Sequence, residues 1–326
     1  MRRRVIWSGA IGALLFGVLV VVGALVIRDY RAAGPLDQPK TVVVPHGIGL
    51  QATAALLGDA GTLRHPLVFV LGARFIGKAG QLKAGEYAIP ARLSVAGLID
   101  LLASGKTVVH RLVVPEGLTV EETLALVAGA EAMTGEVTDR PPEGGILPET
   151  YFYSYGERRQ DMVDRMHQAM GRLVNELWAA RPPELPLQTP EEAVTLASIV
   201  EKETAIDAER PRIAAVFYNR LRLGMRLQAD PTVAYGITEG AKPLDHPLSH
   251  AELDTPSPYN TYLVKGLPPG PIDNPGRAAL RAVLRPVTTD ELYFVADGKG
   301  GHAFAATLAD HNRNVARWRQ KPTAAQ

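Results

Sequence analysis

The chain has 326 residues with 35 Lys and Arg against 34 Asp and Glu, a formal charge of +1, and no cysteine. That balance offers no broad basic footprint for nucleic acid, and the missing cysteines exclude disulfides, a thiol nucleophile and thiolate metal sites. The eight His are scattered. His246 and His250 are separated by Pro247, which spoils a helical metal pair, and there is no HExxH, so neither a metal site nor another cofactor is expected.

The first element is an uncharged stretch from Val5 to Ile27 behind Arg2, Arg3 and Arg4. At 1.5 Å per residue it gives roughly 34 Å of helix, enough for a hydrocarbon core of about 30 Å. Positive charge on the short flank orients the N-terminus to the cytoplasm and the remainder outward. The run is too long for the apolar region of a cleaved signal peptide. Residues 1–28 are therefore read as a cytoplasmic tip and transmembrane anchor in the cell inner membrane, with the lipid bilayer as its partner, and 29–40 as a stalk.

VVPHGIGLQATAALL from Val43 and VVPEGLTVEETLALV from Val113 repeat one phrase: a Val-Val strand, a Pro-x-Gly turn and a helix start. In the second copy Thr119 and Glu122 have capping-box spacing. Lys83–Tyr87 reads as a turn entering a strand, and Ser94 to Leu102 as a helix stopped near Gly105. This predicts a small α+β module over 41–108, followed by a larger mixed domain over 109–320 and a tail over 321–326. A Gly/Pro-rich loop over 129–150 leads to a helix from Arg158 to about Ala180. Its Met162, Met166, Met170 and Leu173 form a packing stripe.

Thr189-Pro190-Glu191-Glu192 is an N-cap, a Pro at N1 and an acid at N3, so a helix runs from there to about Thr204. Ala193, Leu196, Ala197 and Val200 make its apolar face. Glu201 falls at the margin of that face, where partial burial and the negative end of the helix dipole both favour a protonated carboxyl, the state needed for general acid catalysis. Glu203, two positions on, is read as turned toward solvent. From pattern alone Glu201 reads first as a surface residue, with Lys202, Arg210 and Arg212 nearby as partners. A further helix, Glu209 to Leu223, buries Ile213, Val216, Phe217 and Leu221 and stops at Gly224. Leu292–Val295 is a strand, with Asp297-Gly298 as a turn and His302–Phe304 as its return. No G-x-S-x-G appears, which argues against a Ser-His-Asp hydrolase.

Six runs occur in order: LASIVEKET from Leu196, FYNRL from Phe217, LQADPT from Leu227, SPYNTY from Ser257, GLPPG from Gly266 and LYFVADG from Leu292. Together they resemble the endolytic murein transglycosylase family, also grouped as YceG-like proteins, along nearly the whole chain. The resemblance implies an α+β fold: an N-terminal transmembrane helix, a LysM-like subdomain over 41–108 and a catalytic domain over 109–320. It implies a lyase of the cell wall that cleaves the MurNAc-GlcNAc β-1,4 bond of peptidoglycan glycan strands without water, leaving 1,6-anhydro ends. Glu201, the first Glu of EKET, would be the acid and then the base. Gln228, Asp230, Ser257, Tyr259, Asn260 and Thr261 would hold the sugars, and Asn219 would orient Glu201. Glu149 reads equally as a substrate contact or as a loop cap near Thr150. Membrane-bound peptidoglycan synthases are the implied protein partners. Two other readings stand beside this one: a membrane-tethered peptidoglycan-binding scaffold, and a lysozyme-type hydrolase using a second carboxyl such as Glu203 or Asp230.

Overall fold

The computed structural model describes residues 2–320, with side chains from Leu14 onward. The chain divides into two compact units, one reaching to His110 and including Tyr153–Gly156, the other formed by Arg111–Phe152 and the chain from Glu157.

In the first unit, helix α1 (Arg2–Arg31) is followed by strand β1 (Lys40–Val44), α2 (Leu50–Asp59), α3 (Pro66–Phe75), β2 (Gly85–Ile89) and α4 (Val95–Ser104). β1 and β2 pair antiparallel with Val42 opposite Tyr87. The alternation in each strand turns Val42, Val44, Tyr87 and Ile89 onto the faces of Leu57, Phe69, Leu98, Ile99 and Leu102, forming one core. Tyr87 is fully buried and its hydroxyl donates to the Lys83 carbonyl, 2.8 Å. Ser94 accepts from the Gly97 N–H, and Gly105 closes α4 at φ 70°, as the turn chemistry predicts. The last turns of α1 join this core through Val26 and Tyr30. Among the described residues no helix is long and apolar enough to cross a membrane. Residues 5–13 of the expected span and the tail over 321–326 lie outside the described side chains. Helix α3 was not anticipated, because its apolar run, PLVFVLGARF, has no clean helical stripe to separate it from a buried strand.

The strands β3 (Val109–Val113) and β4 (Thr150–Ser154) pair, with α5 (Val120–Gly129) between them in sequence. The capping box on α5 is present in full: Thr119 Oγ accepts from the Glu122 N–H, and Glu122 returns to the Thr119 N–H.

The second unit continues through α6 (Arg159–Ala179), α7 (Pro190–Glu203), α8 (Arg210–Arg222), α9 (Asp230–Thr238), α10 (His250–Leu253), α11 (Arg277–Leu284), the hairpin of β5 (Tyr293–Ala296) and β6 (His302–Ala305), and α12 (Leu308–Arg319). Its core is α7 enclosed by α6, α8 and α11. Every residue of α7 from Ala193 to Val200 is buried, more than the one-sided stripe the sequence predicts. The two hydroxyls in that run are satisfied locally: Thr195 donates to the Glu191 carbonyl, and Ser198 donates to the Thr195 carbonyl while accepting from the Ile272 N–H. Thr189 caps α7 as expected, but the Glu192 carboxylate turns to the Gln188 N–H instead of closing a capping box.

Candidate active site

The C-terminal end of α7 carries the polar residues of the second unit's interior. Both Glu residues of the EKE run are drawn inward, Glu201 into an ion pair and Glu203 away from the solvent that periodicity assigned to it. Glu201 is sealed between Arg210 and the start of α11. Arg210 Nη2 donates to its Oε1 at 2.8 Å and the Gly276 N–H to its Oε2 at 2.9 Å, with the Glu201 and Arg210 side chains only 6% and 5% exposed. Gly276 is the N-cap of α11, so this carboxylate sits at the positive end of a helix dipole. Arg210 also faces Glu116 at 3.6 Å and pairs with Asp207. Burial and the charge of Glu201 push the Glu116 carboxyl up, against the pull of Arg210. A Cβ at Gly276 would meet the Glu116 side chain, so a larger residue there would have to displace that carboxylate.

Glu203 does not turn to solvent. It is half-buried, no hydrogen bond reaches its carboxyl among the described residues, and burial followed by the Asp230 charge pushes its pKa up to about 8, against the opposing charge of Arg220. The expectation failed because it treated α7 as a one-sided helix. With the whole helix enclosed, Glu203 extends the column of Leu196, Ile199 and Val200 at +7, +4 and +3. That spacing was the available signal.

Around Glu203 the neighbours are fixed by their own bonds. Tyr262 donates its hydroxyl to Asp230 Oδ1 at 2.5 Å. Burial, then Asp230, then Glu203 raise the Tyr262 hydroxyl. Arg220 is buried and committed to the Leu292 and Leu227 carbonyls at 2.7 and 2.6 Å, with its guanidinium over the Tyr293 ring. A third carboxyl, Asp273, is fully buried with neither oxygen hydrogen-bonded among the described residues, and burial pushes it well up despite nearby Lys202. Lys202 itself donates to the Gly117 carbonyl at 2.6 Å. Glu143 accepts from the Val120 N–H at 2.8 Å and is raised mainly by burial. Arg210 is one of the partners the sequence offered for Glu201, whereas Arg220, Tyr262, Glu143 and Asp273 were not expected at the site.

The sequence candidates divide into surface and interior positions. Asp230 and Gln228 are exposed at the start of α9, and Gln228 takes φ 50°, held by its N–H to the Thr261 carbonyl at 3.1 Å. Tyr259 is half-buried with its ring 4.8 Å from that of Tyr235. Ser257 uses its hydroxyl to accept from the Tyr259 N–H. Asn260 and Thr261 are corrected from sugar contacts to scaffold, since both are fully buried and their polar atoms are spent. Asn260 donates to the Leu253 and Thr255 carbonyls and accepts from the Tyr262 N–H, and Thr261 bonds the Ala229 N–H and the Thr232 hydroxyl. Asn219 does not orient Glu201. It donates to the Thr289 and Glu291 carbonyls, tying that segment to α8. Glu149 is exposed and paired with Arg277 at 3.2 Å. No group of His, Asp and Glu among the described residues could hold a metal ion.

A helix enclosed by three others, ending in a carboxyl that burial and a tyrosine-bound aspartate push up, sits in a mixed α/β protein with a site suited to acid-base chemistry. The YceG-like family model matches residues 42–317, and the chain belongs to that family. It is 29% identical to an endolytic murein transglycosylase of Bacillus subtilis over 90% of both chains. It is 32% identical to one of Streptococcus pneumoniae over 85% of this chain, spanning 58% of that relative's length. A crystal structure of a yceG-like protein from Listeria monocytogenes shares the fold, with TM-score 0.54 and 27% identity, over 85% of this chain and 98% of that one.

Proposed function

We propose that the chain is an endolytic lytic transglycosylase of peptidoglycan, with Glu203 as the acid and then the base. The supporting observation is the Glu203 carboxyl itself, half-buried at the end of α7, without a hydrogen bond among the described residues and pushed up to about 8 by burial. Glu203 gives its proton to the glycosidic oxygen as the C1–O bond of the muramyl unit breaks. The muramyl C6 hydroxyl closes on C1, and the resulting glutamate takes the hydroxyl proton, so one carboxyl serves both halves and no water enters the product. Burial first and the Asp230 charge second favour the acid form of Glu203, and Asp230 also stabilises the positive charge that develops on the sugar ring. Exposed Gln228, Asp230 and half-buried Tyr259 are the substrate contacts in this reading.

The motif resemblance supports a second assignment, with Glu201 as the acid. Its ion pair with Arg210 and its bond to the Gly276 N–H engage both carboxylate oxygens and brace the α7–α11 junction. Glu203 together with Asp230, whose charge it feels, also fits a lysozyme-type hydrolase. A non-catalytic peptidoglycan scaffold is the remaining alternative. Mass spectrometry of glycan strands incubated with the purified protein separates these readings: anhydro ends, reducing ends or no cut. Glu203→Gln and Glu201→Gln, run in parallel, separate the two acids.

The anchor reading is part of this proposal: a single-pass inner-membrane protein with a cytoplasmic N-terminus, a LysM-like first unit and an extracytoplasmic catalytic unit beside membrane-bound synthases. It is supported by the three Arg before Val5 and by the exposed apolar surface of α1, where Leu14, Phe16, Leu19, Leu25 and Ile27 are all more than half exposed. Protease accessibility of a C-terminal tag in spheroplasts tests it.

A further inference from the structure

Within the first unit, α3 carries an apolar surface that none of the described residues covers. Its inner face, Val68, Phe69, Val70 and Ala73, belongs to the core, whereas Leu67, Leu71 and Phe75, four residues apart, lie on one outer face at 74%, 52% and 94% exposure. Such a stripe is uncommon on a water-exposed helix. Its position beside α1 gives it a meaning. Gly72 of α3 lies against the Tyr30 ring of α1, where an added Cβ would come within 2.6 Å, so α3 is seated just beyond the exposed apolar stretch of α1 that ends at Ile27. At the junction is a cleft of about 380 Å³ whose lining includes Leu25 and Val26, the basic Arg28, Arg64 and His65, and one acid, Asp29. Arg74 continues the exposed basic rim at the far end of α3.

We propose that this face of the first unit rests on the bilayer that holds α1: α3 lies in the plane of the interface with Leu67, Leu71 and Phe75 among the upper acyl chains, and Arg28 and Arg64 contact phospholipid phosphate at the cleft. The proposal rests on the anchor reading above. Three observations carry it: the apolar stripe, its placement one helix end away from the apolar surface of α1, and basic side chains at the level where headgroups would lie. Ten residues give α3 roughly 15 Å of length, too short to span a bilayer and suited to lying on one. The anchor is thereby converted from a flexible tether into a fixed seat for the first unit.

The absence of cysteine makes the test direct. Phe75→Cys, Phe16→Cys and Gln51→Cys variants of the full chain are labelled with a fluorophore. Each is reconstituted in nanodiscs of phosphatidylethanolamine and phosphatidylglycerol containing a lipid quencher near the headgroup. Labels at 16 and 75 are expected to be quenched and the label at Gln51, exposed on α2, to stay in water. Arg64→Glu is expected to weaken quenching at 75, and free inorganic phosphate to leave it unchanged. Quenching at 16 with none at 75 would overturn the seat while keeping the anchor, and no quenching at 16 would remove the anchor and the seat with it. A disulfide forming between two Phe75→Cys copies in the discs would make a second copy of the chain the occupant, and would overturn the proposal.

Discussion

Arg210 holds Glu201 in a nearly sealed ion pair, 2.8 Å between Nη2 and Oε1, and so fixes the one carboxylate that bridges α7, α8 and the start of α11. Removing one partner leaves a buried charge alone. Arg210→Ala is expected to cost about 3–5 kcal/mol of stability, read as a fall in the denaturation midpoint of the full chain in detergent. A loss well under 1 kcal/mol would mean that water reaches Glu201 freely.

Glu203→Gln keeps the shape of the side chain and removes the proton it would donate. Glycan cleavage is expected to fall by at least about 100-fold with circular dichroism unchanged. Glu201→Gln is expected to lose stability first and to retain measurable cleavage where it remains folded. The reverse pattern, an inactive folded Glu201→Gln beside an active Glu203→Gln, would return the acid role to Glu201.

Glu203 also imposes a pH signature. Its folded pKa is raised from 4.5 to about 8, so the folded chain keeps a proton that the unfolded chain releases. The stabilising contribution is complete below about pH 4.5 and is lost as pH rises to about 8. Cleavage should decline above the same upper value, where the acid form disappears. Glu203→Gln should flatten this segment of the stability profile, so that thermal midpoints of variant and parent differ more at pH 8.5 than at pH 5. Parallel profiles would show that Glu203 is ionised in the fold.

The β5–β6 hairpin is pinned to the start of α8 by Glu209, which accepts from the His302 N–H at 2.9 Å and pairs with the His302 ring at 2.7 Å. Burial pushes Glu209 up, but the bonds from His302 outweigh it and leave the carboxyl below its ordinary range. Its contribution is therefore present above the ordinary carboxylate pKa of 4.5 and lost as pH falls through the depressed folded value. Glu209→Gln is expected to cost roughly 1–2 kcal/mol at pH 7 and almost nothing in acid. A cost that did not change with pH would point to packing instead of charge.

Asn260 distinguishes scaffold from substrate contact. Asn260→Ala strands two carbonyls and one N–H in the interior and is expected to destabilise by about 2–3 kcal/mol. Among molecules that remain folded, glycan binding should be unchanged. A selective loss of binding would restore it to the sugar site.

Local signals carried the sequence reading where the structure is local. Thr119 with Glu122, Ser94 with Gly105 and Thr189 with Pro190 all mark helix ends correctly, because caps are decided by residues three or four apart. The Met stripe of α6 is buried for the same reason. The site was less legible. Glu201 and Glu203 are two positions apart on one helix, and their environments depend on Arg210 and Arg220 of α8, Asp230 of α9 and Gly276 at the start of α11, which folding brings to them. Motif resemblance grouped Asn260 and Thr261 with Tyr259, yet a turn that exposes one side chain necessarily buries its neighbours. Only the paired bonds of Asn260 and Thr261 reveal which side they take.

Asn274 accepts from the Ile146 N–H and donates to the Leu118 carbonyl, side-chain bonds that span 128 and 156 residues, and its backbone bonds Gly117 and Leu118 as well. Helix α7 can form from its own caps, but the loop that delivers the Gly276 N–H to Glu201 is held only when residue 274 has returned to residue 118. Closing so long a loop carries its entropy before any contact offsets it. The order of folding therefore acts as a safeguard: a chain released before its last quarter has docked possesses the helix with both glutamates and still lacks the walls that make one of them an acid.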